Sequence, residues 1–280
     1  MPGLVNTVAQ PSRGIRGLLA ANAWLIYLFF YAPIIVLVVL SFNDNMLVAE
    51  WQGASLRWYR ALGENDPIQR SLVNTLKVAF WATVVSTVLG TLAALALERS
   101  RYRGQRAFDG LLYLPIIIPD VTMAVMMLLF FVQFKDLMAN LFGLTLGPNG
   151  IREISLSHIA FNISFVAVVV RARLANSDPA LEEAAADLYA SRWQTFWRVT
   201  FPLILPGVLA GALLALTLSL DDVVITSFVS GPGSTTLPVF VFGLVRRGVT
   251  PLINALSTLM IAASMILVLA SLALQRFRAT

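Results

Sequence analysis

Residues 182–206 read EEAAADLYASRWQTFWRVTFPLILP, and this stretch stands apart from the rest of the chain. Acids, arginines and bulky aromatics alternate here as they do on a water-exposed amphipathic helix, whereas most of the flanking sequence is apolar enough to lie in lipid. The chain is 58% hydrophobic and only 12% charged, with a mean hydropathy of +0.78. A water-soluble domain carries about twice that charged fraction. Several apolar runs reach the roughly 20 residues that a helix needs to cross a bilayer core. Long continuous runs also exclude a transmembrane barrel, whose strands alternate in short segments. The expected fold class is all-α, a polytopic membrane bundle of six transmembrane helices.

The spans are expected at about Ala23–Phe42, Leu72–Leu97, Leu111–Phe134, Leu156–Val170, Pro202–Phe228 and Leu252–Leu274. The fourth is short, and the second and fifth are long enough to tilt or bend. Pro115, Pro119, Pro202 and Pro206 fall within or at the start of spans. Prolines are tolerated there when neighbouring helices satisfy the freed carbonyls, which implies a packed bundle. Gly207 and Gly211 form a small-xxx-small pair that suits close helix packing.

A net charge of +5 spread over span ends points to topology signals rather than nucleic acid. The strongest is ERSRYRGQR (98–106), with Arg99, Arg101, Arg103 and Arg106. Basic residues resist translocation, so both termini and the stretch between spans four and five are expected in the cytoplasm. The expected organisation is a tail at 1–22, a transmembrane domain at 23–274 with a core at about 70–274 and a cytoplasmic loop at 175–201, and a tail at 275–280. The apolar run after Arg13 and Arg16 is too long for a cleavable leader and reads as a retained span. The absence of cysteine excludes disulfides and thiolate chemistry.

The polar loop begins like a helix. Asp178 suits a cap, Pro179 the first helical position, and Glu182 and Glu183 the positive N-terminal end. Its apolar stripe is Leu181, Ala184, Ala185 and Leu188, and a second stripe follows at Tyr189, Trp193, Phe196 and Trp197. The second is displaced by one residue, about 100° around the axis, so two short helices with a bend near Tyr189 are expected. Periodicity alone leaves open a helix lying on the membrane surface or a knob that docks in a partner's groove.

Three carboxylates sit deep in apolar sequence: Asp120 in LPIIIPD, and Asp221 with Asp222 in LSLDDVVI. Charge in a span is costly and faces a cavity or a partner. Asp120 suits either a cap on a helix restarted after Pro119 or a path lining. The side chains of Asp221 and Asp222 point about 100° apart, so one can line a path while the other pairs with a basic group. His158, the single histidine, lies at the outer end of span four and is expected to be simply hydrogen-bonded. No G-x-x-x-x-G-K-[ST] phosphate loop occurs, so any ATP hydrolysis belongs to another chain. An intramembrane aspartyl protease lacks a signature around these acids, and a stand-alone ion-coupled carrier lacks an inverted repeat.

Glu183-Ala184-Ala185, followed by Phe196, Val199, Pro202 and Pro206, resembles the EAA loop of ABC importer permeases. YAPIIVLVVLSFN, LPIIIPD, SLDDVVITSFVSGPGSTTLP and INALSTLMI are similar to the polyamine (putrescine/spermidine) branch, so the likeness covers nearly the whole chain. The resemblance implies a type I importer permease of a bacterial inner membrane, without catalysis of its own. Its implied partners are an ATP-binding subunit that uses ATP and magnesium, a second unlike permease, a periplasmic polyamine-binding protein and membrane lipid. No nucleic acid and no cofactor or metal on this chain is implied. Glu182, Glu183, Ala184, Ala185, Tyr189, Trp193, Phe196 and Trp197 would serve ATPase coupling, and Asp120, Asp221 and Asp222 the substrate path. The family usually has glycine where this chain has Tyr189. The alternatives are an ABC permease for another small solute and a stand-alone ion-coupled cation carrier.

Overall fold

The computed structural model describes residues 13–46, 50–99, 102–248 and 250–279. Residues 1–12, which make up most of the expected N-terminal tail, and Arg101 and Thr280 lie outside the described residues. The elements are α1 (Arg13–Leu40), α2 (Arg57–Glu64), α3 (Asp66–Arg99), α4 (Gln105–Ile117), α5 (Asp120–Phe142), α6 (Ile151–Ala175), α7 (Ala180–Asp187), α8 (Arg192–Thr195), a π-helical turn (Phe196–Thr200), α9 (Phe201–Asp221), α10 (Val224–Val229), α11 (Leu237–Val245) and α12 (Pro251–Ala279). No strand occurs among the described residues; a lone bridge joins Asn43 to Ala54. Five segments are long and apolar enough to cross a membrane (14–40, 66–99, 120–142, 151–175 and 192–221), and 251–266 of α12 is a shorter apolar helix. The fold is an all-α membrane bundle.

Several boundaries differ from the sequence expectation. Helix α1 already runs through 13–22 and α12 through 275–279, so the expected tails are helical where they are described. The expected span 111–134 is two helices, because Ile118 and Pro119 are extended (ψ 131° and 139°). A residue before proline is disfavoured in the α region, so the chain breaks at Ile118 and restarts at Asp120. The fourth span is not short. Ser155 and Ser157 stay in α6 by donating to the carbonyls of Ile151 and Glu153, so their polarity does not end the helix. The fifth span ends at Asp221, and extended Asp222 leads into α10.

The chain divides into two compact units, residues 66–243 and residues 1–65 with 244–280. In the larger unit α3, α6 and α9 pack mutually on one another. Val166 of α6 is fully buried, and glycines face it from both sides. A Cβ on Gly90 of α3 would stand 2.7 Å from the Val166 Cβ, and one on Gly211 of α9 would stand 3.1 Å from its Cγ1. A Cβ on Gly207 would meet the Arg173 Cβ at 2.8 Å, so the Gly207/Gly211 pair seats α9 against α6. A cluster of Ala94, Leu97, Leu112, Val170, Leu174 and Ile204 continues this core toward the end of the unit that carries Arg99. A second cluster joins Met123, Ala124 and Phe131 of α5 to Ile154 and Phe161 of α6 and Ile225 and Val229 of α10.

In the smaller unit the Trp58 indole donates to the Asn43 carbonyl at 2.7 Å, and the Ser41 and Tyr59 hydroxyls lie 2.7 Å apart. These bonds fix the chain between α1 and α2. Helix α12 packs against both helices.

Candidate functional site

The polar loop of the larger unit folds as two short helices with a turn at Tyr189. Asp178 Oδ1 accepts from the Ala180 N–H at 3.0 Å and opens α7. At its far end the Tyr189 N–H reaches the Ala186 carbonyl, and the Ala190 N–H reaches back to Ala185. This pair of bonds is a Schellman closure, whose residue outside the helix needs a left-handed backbone and is usually glycine. Tyr189 occupies it at φ 61°, the one non-glycine residue at positive φ among the described residues. A side chain there costs roughly 1 kcal/mol or more relative to glycine.

Helix α8 restarts on a capping box: Gln194 N–H donates to Ser191 Oγ, and Ser191 N–H donates to Gln194 Oε1 at 2.9 Å. Trp193, Phe196 and Trp197 then pack ring on ring, with Trp197 5.6 Å from Trp193 and 5.3 Å from Phe196 between centroids. Phe201 joins them 5.0 Å from Trp197. The stripe expected to begin at Tyr189 therefore begins at Trp193. The left-handed turn carries the Tyr189 ring away from it, to 97% exposure. Leu188 and Trp193 are also largely exposed, so the tip of this loop presents apolar surface that the described residues leave uncovered. Ala184 is exposed and Ala185 partly buried on α7.

The two glutamates separate. Glu183 is exposed. Glu182 is partly buried, and its Oε1 accepts from Arg99 Nη2 at 2.7 Å and from Thr200 Oγ1 at 2.8 Å. Arg99, Glu182, Phe196 and Thr200, with Leu95 and Ala96, line an open cavity of about 300 Å³. Beside it, Arg171 of α6 donates to Glu98 at 2.8 Å and to Asp109.

The deep acids lie at two helix breaks. Asp120 is the first residue of α5 and Asp221 the last of α9; both are exposed. Neither makes a side-chain hydrogen bond or ion pair among the described residues. Asp222 is different. Its carboxylate accepts from Ile225 N–H at 3.3 Å, Thr226 N–H at 2.7 Å and Thr226 Oγ1 at 2.7 Å, and it faces His158 Nε2 at 3.2 Å. Asp222 thus caps α10, and His158, expected to be hydrogen-bonded, ties that cap to α6. One turn along α6, Asn162 donates to Ser219 at 2.9 Å. Helices α5 and α10, which start at the two breaks, pack on each other through Met123, Ala124, Ile225 and Val229. The breaks thereby share one region of the unit.

Sequence reasoning did not reach the contacts that hold the Gly/Pro-rich loop 230–236. Asn74 of α3 donates to the carbonyls of Gly233 and Thr235 at 3.0 and 3.1 Å, and Leu237 N–H donates to Thr75 Oγ1 at 2.7 Å. A Cβ on Gly231 would lie 2.0 Å from the Asn149 carbonyl oxygen, so two backbones touch there. Lys135 holds the same neighbourhood through Asn149 at 2.7 Å and Glu153 at 3.1 Å.

Comparison with known proteins places this architecture. Residues 86–279 match the family described as binding-protein-dependent transport system inner membrane component. The putrescine transport system permease protein PotI of Escherichia coli K12 is 44% identical over 238 residues, 85% of this chain and 83% of that protein. The spermidine/putrescine transport system permease protein PotC of Haemophilus influenzae is 39% identical over 251 residues, 90% of this chain and 93% of that one. Among solved structures, a chain of a bacterial ABC transporter involved in the import of the acidic polysaccharide alginate superposes with a TM-score of 0.77 at 20% identity, covering 94% of each chain. The chain therefore belongs to the family of binding-protein-dependent transport system inner membrane components, as a multi-pass permease subunit of the ABC importer kind.

Proposed function

We propose that this permease imports polyamines, putrescine or spermidine, along a path lined by Asp120 and Asp221. An exposed carboxylate at a break in a membrane helix cannot be left against lipid, and it needs a water-filled path or a facing subunit. An ammonium leaving water needs carboxylates to replace its hydration. The single observation that carries the reading is that these two deep acids are exposed and, among the described residues, unpaired, while the third, Asp222, is consumed as a helix cap. The names of the relatives, putrescine and spermidine permeases, supply the substrate class.

The basic cluster at 98–106 supports a cytoplasmic position for the end of the unit with Arg99 and α7, and by the same rule Arg13, Arg16, Arg276 and Arg278 support cytoplasmic termini. Loop 178–198 then docks on an ATP-binding subunit that hydrolyses ATP with magnesium. Leu188, Tyr189, Trp193 and the exposed Glu183 supply that contact, and Glu182 acts inside the chain. A second permease covers the exposed acids from the other side, and a periplasmic binding protein delivers the solute to the opposite face.

The test is uptake of radiolabelled putrescine and spermidine by cells lacking their own polyamine systems, supplied with this chain and its partner subunits. Uptake of one or both, abolished when Asp120 and Asp221 are replaced together by asparagine at unchanged membrane abundance, is the expected result. No uptake of either by a complex that assembles and hydrolyses ATP points to another small solute.

A further inference from the structure

We propose that α3 is a rod that ties the ATPase-facing loop to the opposite-face loop 230–236, with Arg99, Glu182 and Thr200 as its latch at one end and Asn74 as its clasp at the other. The proposal rests on the docking of loop 178–198 on an ATPase. Helix α7 has no buried residue, so packing does not fix where it sits. Polar links do: Glu182 Oε1 holds both Arg99 at 2.7 Å and Thr200 at 2.8 Å. Arg99 is the last residue of α3, and Thr200 closes the π-helical turn that leads into α9. A displacement of α7 is therefore delivered to α3 and α9 together. The π-helical turn, an inserted residue in the helical ladder, is a place where such an element yields.

Helix α3 is also continuous from one end of the unit to the other. It runs without interruption from Asp66 to Arg99, so Thr75 and Arg99 stand about 36 Å apart along one axis. It is packed on α6 through Gly90 and Val166 with no room for a Cβ between them, so its middle is held to α6 and it tilts with that helix as a body. At the far end Asn74 grips two backbone carbonyls of the Gly/Pro-rich loop and Thr75 receives the N–H that opens α11. The adjacent residues Glu98 and Arg99 point the end of the rod at two elements, since Glu98 takes Arg171 of α6.

The experiment uses the full complex of this chain with its ATPase and second permease in lipid vesicles. It measures the fold by which ATP hydrolysis rises on adding the binding protein purified with its native ligand. Arg99→Glu and Glu182→Arg are each expected to cut that stimulation by about fivefold, and the double exchange to restore it to within about twofold. Asn74→Ala is expected to cut it as well, and the Asn74→Ala/Glu182→Arg pair to do no more damage than the worse single change, because both break one rod. Co-purification of the ATPase should be unaffected throughout. Normal stimulation in the single variants, an exchange that restores nothing, or fully additive losses at the two ends would each overturn the rod. A complex in which deleting 180–195 leaves the ATPase bound and stimulated overturns the docking assignment and the rod with it, a result distinct from indifferent Arg99, Glu182 and Asn74 variants, which overturns the rod alone.

Discussion

His158 Nε2 lies 3.2 Å from the Asp222 Oδ2 although 64 residues separate them, and the same carboxylate oxygen takes both the N–H and the hydroxyl of Thr226. His158 and Thr226 are buried, so neither can turn to water if the carboxylate is lost; His158 Nε2 keeps the Thr226 hydroxyl at 3.1 Å, but the Thr226 N–H loses its acceptor. Asp222→Ala is expected to destabilise the protein by about 1–3 kcal/mol, the cost of orphaning buried polar groups. His158→Ala should act in the same direction. Thermal unfolding in detergent and immunoblots of membrane fractions measure this. Normal abundance and unfolding temperature in both variants would remove the cap from the structural frame.

Asp221→Asn and Asp120→Asn are expected to behave in the opposite way. Their carboxylates hold nothing among the described residues, so abundance should stay unchanged. The loss falls on uptake, by roughly ten- to hundredfold for a charge-assisted contact worth about 1.5–3 kcal/mol. The measurement is initial uptake of radiolabelled putrescine and spermidine, scaled to immunoblotted protein. Reduced abundance with normal uptake per molecule would assign both acids to structure.

Tyr189 separates backbone from ring. Tyr189→Gly and Tyr189→Ala both delete a ring that is 97% exposed, but only glycine relieves the left-handed strain at φ 61°. Amide exchange at 188–190 should slow in Tyr189→Gly and not in Tyr189→Ala. An exposed tyrosine at the tip of a docking loop is the kind of side chain that anchors interfaces, so ATPase association should weaken about tenfold in both. Association unchanged in both would place the ring outside the contact.

Much of this was legible in the residues. The apolar runs give the bundle, and the one-residue offset between the stripes gives the bend at Tyr189. The break at Ile118–Pro119 is also written in the sequence, since proline disfavours helix in the residue before it, and the Ser191-x-x-Gln194 capping box is a recognisable start signal. The extent of α6 was hidden because Glu153, Ser155 and Ser157 are polar, yet all three are buried against other helices. His158 and Asn162 can be placed on one helix face by their spacing of four. Their partners, Asp222 and Ser219, cannot, because those contacts exist only once α9 lies on α6. Glu182 is the sharpest case. It sits beside Glu183 in a loop whose pattern speaks of docking, and its bonds to Arg99 and Thr200 turn it inward for reasons that involve the end of α3.

The close approach of α3, α6 and α9 around Val166 yields a prediction with an internal control. A methyl on Gly211 meets chiefly the Val166 Cγ1 at 3.1 Å, an atom that Val166→Ala removes. A methyl on Gly90 meets the Val166 Cβ at 2.7 Å, the Ile163 carbonyl oxygen at 2.8 Å and the Val166 Cγ1 at 2.9 Å, and only the last of these is removed by Val166→Ala. Overpacking of a tight core costs typically about 1–3 kcal/mol. Gly90→Ala and Gly211→Ala should therefore both lower the unfolding temperature in detergent, with Gly90→Ala the more damaging because a backbone atom must give way. Adding Val166→Ala should recover most of the loss in Gly211→Ala and only a minor part of the loss in Gly90→Ala, where the Val166 Cβ and the Ile163 carbonyl still collide. Equal recovery in both backgrounds would mean that α3 can move off α6, and a helix that shifts so easily at its midpoint could not carry a displacement from Arg99 to Asn74.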